Sequence, residues 1–263
     1  MQPARLRMIV LVLLAALLPD ALAGSAEEKG LAIAIEADRR DTGFGDFTAD
    51  MHMVLKNRHG QESDRYMHTR TLEGIGDGDK SIIVFDKPKD VKGTALLTFT
   101  HKTGPDDQWL YLPALKRVKR IASRNKSGPF VGSEYAYEDL SSQEVEKYTY
   151  KYLRDEPCGD RQCFVNQRDP VDEYSGYTVQ DVWVDKAEYI PIKIDFYDRK
   201  GDLLKTLVFE DYQQYLGQYW RAGKMTMTNH QSGKKTELIW SNYKFRTGLN
   251  DRDFNKNSLK RAR

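Results

Sequence analysis

The stretch "YIPIKIDFYDRKGDLLKTLVFE", residues 189–210, decides the fold. Ile190, Ile192, Ile194 and Phe196 recur at every second position, with Lys193 and Asp195 between them. A period of two puts successive side chains on opposite faces of a strand, so one face is apolar and the other charged. "DRKGD" then supplies turn residues, and "LLKTLVF" resumes an apolar run. Two such runs across a tight turn make an antiparallel hairpin with one face to bury.

The same grammar fills most of the chain. In "FTADMHMVL" Phe47, Ala49, Met51, Met53 and Leu55 share one parity, while Asp50 and His52 take the other. Met225 and Met227 oppose Thr226 and Thr228. Strand candidates recur from "ESDRYMHTRTLE" to "KTELIWSNYKF", separated by "GDGD", "KTGPDD" and "QSGKK". Short strands with turn signals and few helices indicate a mainly β chain. Two segments read as helical. Residues 27–39 set Leu31, Ala34 and Ile35 on one face, with acids early and arginines late, as the helix dipole favours. Residues 132–142, "GSEYAYEDLSS", form the second, with a short strand carrying Tyr135, Tyr137 and Leu140 as the alternative. Two helices are little cover for about eleven one-sided strands, so the sheet is expected to curl on itself, which can leave an apolar cavity.

The first residues set the compartment. Arg5 and Arg7 precede the uncharged run Met8–Leu18, Pro19 breaks it, and Ala21-Leu22-Ala23 offers small residues for cleavage. This is the pattern of a secretory signal over residues 1–23. The run is short for a membrane span, which takes about 20 residues. Ser25 stands where a lipidated chain would carry cysteine, so a soluble periplasmic protein beginning near Gly24 is expected. Cleavage leaves 240 of 263 residues as one domain, 24–263, with no linker or repeat to divide it. Without Arg5, Arg7 and Asp20 the net charge falls from +2 to about +1, too near neutrality for nucleic-acid binding by bulk charge. The only cysteines, Cys158 and Cys163 in "EPCGDRQCFV", flank a short turn and are expected to form a disulfide in an oxidising compartment.

Catalytic patterns are missing. His52, His59, His68, His101 and His230 are scattered without metal-ligand spacing, and no G-x-S-x-G elbow occurs. "GIGDGDK", residues 74–80, lacks the glutamate of a calcium loop and reads as a turn. The adjacent carboxylates Glu138 and Asp139 are expected at a solvated helix end, with a paired acid as the alternative. No enzyme, metal or cofactor is expected.

"QWLYLPALKRVKRI", residues 108–121, joins an apolar strand to a basic run, with Pro113 marking an edge or turn. Lys116, Arg117, Lys119, Arg120 and Arg124 are expected at a cavity rim, where they read an anionic headgroup or dock a partner; a solvated edge strand is the plainer alternative. Met51, Met53, Trp109, Tyr111, Trp183, Phe196, Met225, Met227 and Trp240 are the candidate cavity wall, since methionine adapts to irregular shapes and aromatics give broad apolar surfaces.

"GFGDFTADMHMVL", "SIIVFDKPKDVKGTALL", "DQWLYLPALKRVKRIA" and "FVGSEYAYEDL", in that order, resemble the outer membrane lipoprotein-sorting family, larger relatives of the periplasmic carrier LolA. "YTVQDVWVDKAEYIPIKIDFYDRKGDLLKTL" extends the resemblance over most of the chain. It implies a half-open antiparallel β-barrel of about eleven strands with helices over its open side. It also implies a monomeric, non-enzymatic carrier that holds a lipid, a lipoprotein acyl chain or another amphiphile. An inner-membrane RND-type exporter and an outer-membrane acceptor are the partners implied. An accessory subunit that docks on such an exporter and carries no cargo is the alternative.

Overall fold

The computed structural model describes residues 24–261; the expected export signal over residues 1–23 lies outside them. One helix, α1 (Ala26–Asp41), precedes fifteen strands and is matched by a short helix, α2 (Lys256–Arg261), at the other end. The strands are β1 (Asp46–Lys56), β2 (Glu62–Leu72), β3 (Lys80–Lys87), β4 (Ala95–Phe99), β5 (Asp107–Leu112), β6 (Arg117–Ile121), β7 (Tyr148–Cys158) and β8 (Arg161–Pro170), followed by β9 (Val179–Asp185), β10 (Pro191–Tyr197), β11 (Leu203–Glu210), β12 (Gln213–Tyr215), β13 (Tyr219–Arg221), β14 (Lys224–Asn229) and β15 (Lys235–Phe245).

Thirteen strands form one sheet in the order β6-β5-β4-β3-β2-β1-β15-β14-β11-β10-β9-β8-β7, and β12–β13 make a separate hairpin. The main sheet has two strands more than the expected eleven, and "LLKTLVFEDYQQ" and "YWRAGKMTMTNHQ" each break in two, which adds the separate hairpin. The first strand pairs with the last, Met51 opposite Trp240 and Met53 opposite Leu238, which closes the chain upon itself in mid-sheet. The outermost strands β6 and β7 do not pair with each other, so the sheet curls without closing.

Curling gives the sheet an inner and an outer face. The inner core unites Met51, Met53, Met67, Phe85, Leu96 and Leu110 with Val182, Ile194, Leu207, Met227 and Leu238 from the other half. The segment between β6 and β7 lies across this core. Its Phe130 and Tyr135 are wholly buried, and the Tyr135 hydroxyl donates to the Met225 carbonyl. Residues 132–142 were expected to be helical; only a 3-10 turn, Tyr137–Leu140, forms, because Pro129 and Ala136 pair as an isolated bridge.

Helix α1 starts at a capping box in which Ser25 and Glu28 satisfy each other's backbone N–H. Its seating differs from the expected face. Leu31 and Ile35 are 42% and 50% exposed, whereas Gly30 and Ile33 are buried. The reason is Gly30, whose bare backbone lies against β7: a Cβ there would stand 2.7 Å from the Tyr152 nitrogen and 2.8 Å from that of Lys151. Close approach at Gly30 turns the Ile33 side inward and leaves Leu31 and Ile35 rotated away.

The outer face carries two smaller cores. Phe254 and Leu259, around α2, cover Ile82, Val84, Ala95, Leu97 and Trp109. Cys163, Val165 and Trp183 form the other with Cys158 and Ile192. Ile192 was expected beside Ile194, but a bulge between Pro191 and Lys193 shifts the register and sends it outward.

Cys158 and Cys163 are bonded across the β7–β8 hairpin, Cα atoms 5.9 Å apart. A five-residue separation restricts the unfolded chain only modestly. Replacing both by alanine is expected to cost about 2 kcal/mol in denaturant unfolding, by loop-closure entropy. No change in midpoint between oxidised wild type and the double variant contradicts this.

Candidate binding cavity

The open side of the curled sheet holds a cavity of about 1440 Å³. Pockets for small ligands usually run to roughly 300–1,000 Å³, so this one exceeds the size that a small polar ligand needs. Its deepest wall is a cross-strand row: Ile194 stands opposite Val182 on one side and Leu207 on the other, each at most 6% exposed. Phe196, Met225, Leu238 and Trp240 extend that wall.

An aromatic wall follows. Asn242 has a left-handed φ of 55°, and the register slips between Thr48 and Asp50 on the partner strand. This bulge keeps Tyr243 on the inner face, 6.0 Å from Trp240 and 5.6 Å from Phe47 between ring centres. Arg221 lies over Phe44 at 5.3 Å and donates to Asp41 of α1, tying the helix to the β12–β13 hairpin. On the far side, Arg40 donates to the Ala187 carbonyl and lies 4.3 Å from the Tyr189 ring. Ile33, Ala34 and Ala37 make α1 itself part of the lining.

Two polar regions interrupt the apolar wall. At one end Asp41, Glu73, Asp79 and Glu144 gather with Lys102. Glu73 accepts the backbone N–H groups of Gly43 and Gly45, and Glu144 accepts the Ser142 hydroxyl. Burial pushes the Asp79 carboxyl up to about 7, although it accepts the Gly74 N–H. Proton binding in this site is stronger folded than unfolded, so its contribution is most favourable below about pH 4 and is lost as pH rises through about 7. Asp79→Asn keeps the oxygen for Gly74. It is expected to raise the thermal midpoint by about 2–4 °C at pH 8 and by nothing at pH 4. An equal gain at both pH values would exclude a titration effect.

The second region surrounds the 3-10 turn. Glu138 accepts from the Ser175 hydroxyl and the Gly176 N–H; Asp139 accepts from the Ala136 N–H and the Tyr177 hydroxyl. Burial raises both carboxyls, and the nearby charges of Lys205 and Arg168 offset part of the rise at Asp139. The expected solvated helix end is instead a half-buried network, because no helix forms there to carry the pair outward. Among the described residues no His, Cys, Asp or Glu cluster is grouped to hold a metal ion.

Of the nine expected wall residues, Phe196, Met225 and Trp240 line the cavity. Met51, Met53 and Met227 lie on the same face but are packed into the core beneath it. Trp109, Tyr111 and Trp183 are corrected: they face outward. Strand parity that puts Leu110 and Leu112 inside puts Trp109 and Tyr111 against the α2 side, and the Trp183 ring lies 3.3 Å from the Lys193 ammonium. The basic residues do not line the cavity. Lys116, Arg117, Lys119, Arg120 and Arg124 are absent from the lining, since Pro113–Leu115 turn the chain through a left-handed Lys116 and make β6 the edge strand. Arg120 there pairs with Asp107. A row of cations on an exposed edge discourages strand addition. Sequence reading missed Val182, Leu207 and Leu238, whose alternation was visible but whose neighbours across the sheet were not.

Comparison with solved structures now places the chain. A candidate outer membrane lipoprotein-sorting protein domain from Vibrio parahaemolyticus is 60% identical, with TM-score 0.88 over 89% of this chain and 99% of that one. A DUF1329 family protein from Desulfovibrio piger is 30% identical, with TM-score 0.84 over 89% and 99%. The chain belongs to the DUF1329 family. A family model described as an uncharacterized protein also matches residues 77–261. A LolA superfamily protein from Nitrosomonas europaea, 23% identical, shares the fold with TM-score 0.70 over 87% of this chain and 98% of that one. No curated protein matches the chain. The half-open β fold expected from sequence is the fold of these relatives.

Proposed function

We propose that the protein is a non-enzymatic carrier of the bacterial periplasm, holding the acyl part of a lipid, lipoprotein or other amphiphile on its way towards an outer-membrane acceptor. The observation that carries this is the apolar row Val182–Ile194–Leu207 on the wall of a cavity of about 1440 Å³. Burial of an acyl chain of about fourteen carbons contributes on the order of 10 kcal/mol before ordering costs, enough to compete with a membrane. The lipoprotein-sorting description of the Vibrio relative supports the same reading, as does the export signal expected over residues 1–23. No helix among the described residues is long and apolar enough to cross a membrane.

A delipidated sample titrated with a fluorescent fatty-acid analogue tests this. Saturable binding near one per chain is expected, at micromolar or better dissociation constants, equivalent to about 8 kcal/mol or more. Linear, unsaturable partition contradicts a shaped site. The basic edge strand, whose cations do not line the cavity, supports an additional docking role on an acidic partner such as an inner-membrane RND-type exporter.

A further inference from the structure

Arg168 stands on the inner face of β8 and lines the cavity. Its Nε donates to Gln180 Oε1 at 2.8 Å, and its guanidinium lies 4.4 Å from the Tyr148 ring centre. Those two contacts fix the plane of the group. Its terminal Nη nitrogens make no hydrogen bond and no ion pair to any of the described residues. The carboxylates nearest in the network do not close on it: Asp139 is held by Ala136 and Tyr177, and Glu138 by Ser175 and Gly176. Lys205, 8% exposed, donates to the Tyr177 hydroxyl at 3.3 Å, so a second cation lies behind the Tyr177 that lines the cavity. An oriented guanidinium fork with free outer nitrogens is a receptor for a carboxylate or phosphate, which it can bind through two parallel N–H donors. The apolar row Val182–Ile194–Leu207 begins alongside, Val182 two residues beyond Gln180 on the strand next to Arg168, and offers a surface for a hydrocarbon chain.

We propose that Arg168 is the anion receptor of the cavity, so that the cargo is an amphiphile whose carboxylate or phosphate enters with the tail instead of remaining at the mouth. This rests on the carrier reading and adds the class of cargo. It also moves headgroup recognition from the basic edge strand to a single internal arginine.

The test compares palmitate, monopalmitoyl glycerol phosphate and uncharged monopalmitoyl glycerol on delipidated wild type, Arg168→Gln and Arg168→Lys, with acetate and inorganic phosphate as tail-free probes. Wild type is expected to prefer one or both anionic lipids over the neutral one by about tenfold or more, the size of a charge-assisted hydrogen bond. Arg168→Gln is expected to erase that preference while leaving the neutral lipid within about twofold, and Arg168→Lys to retain part of it, since a point charge lacks the fork. The arm that loses affinity tells carboxylate from phosphate. Binding of acetate or phosphate as tight as that of the lipids would make the site one for free anions and overturn the amphiphile assignment. Equal affinity of wild type for all three lipids, or an equal loss of all three in Arg168→Gln, overturns the receptor role and leaves the carrier reading standing. Failure of every lipid to bind wild type defeats the carrier reading, and this inference with it. Arg168→Lys keeps the charge and the stem, so the comparison survives if Arg168→Gln does not fold.

Discussion

Ile194→Asp is expected to abolish loading of acyl chains, lowering affinity by about a hundredfold or more, the cost of facing an apolar group with an unpaired charge. Ile194 is 6% exposed at the centre of the cavity wall, with Val182 and Leu207 directly across the sheet on either side. The same charge should cost about 3 kcal/mol of stability, so loss of loading alone is ambiguous. Trp109→Ala resolves it. Trp109 is 9% exposed on the outer face, edge-on to Phe99 and beneath the Lys256 ammonium. Truncation there should cost about 3–5 kcal/mol in denaturant unfolding while loading stays within about twofold, because the cavity is on the other side of the sheet. If Trp109→Ala loses loading in proportion to stability, binding is a property of the whole fold and the wall has no special part in it.

Gly30→Val is expected to detach α1. A Cβ at Gly30 meets the backbone nitrogens of Tyr152 and Lys151 at 2.7 and 2.8 Å and the Asn166 side-chain oxygen at 2.8 Å. The β7 backbone is held by its ladder to β8, so the helix must move instead. Movement breaks the buried hydrogen bond from Asn166 Nδ2 to the Gly30 carbonyl and uncovers Ile33. Overpacking and the lost bond together should cost about 3 kcal/mol. Hydrogen exchange over residues 26–41 measures it directly: protection should fall in α1 far more than in β1 or β15. Unchanged protection in α1 would mean that the helix is not seated through Gly30.

Period-two alternation makes the strands legible in the amino-acid sequence, and with them the one-sided sheet that has to curl. Phe47, Ala49, Met51, Met53 and Leu55 fall on one face as read. The faces of isolated strands are legible only as pairs of alternatives. "QWLYL" separates Trp109 and Tyr111 from Leu110 and Leu112, but nothing local says which pair is inside; the residues that cover Trp109, Phe254 and Leu259, lie more than 140 positions away. Bulges hide more. Ile192 leaves the face of Ile194 at a register shift, and Tyr243 joins that of Trp240 beside the left-handed Asn242. The α1 face misleads because Leu31 and Ile35 are the bulkier residues, whereas close approach at Gly30 decides the contact. Arg168 carries no sequence signal: its meaning comes from Gln180 and Tyr148 on the two neighbouring strands.

The most direct measurement is mass spectrometry of organic-solvent extracts from protein released gently from the cell envelope and purified without detergent, quantified per chain. A carrier with this cavity should yield an acyl-bearing amphiphile, with one anionic group, approaching one molecule per chain in wild type and far less in Ile194→Asp. Extracts of wild type that contain no lipid above the level of an unrelated exported protein would contradict the carrier reading.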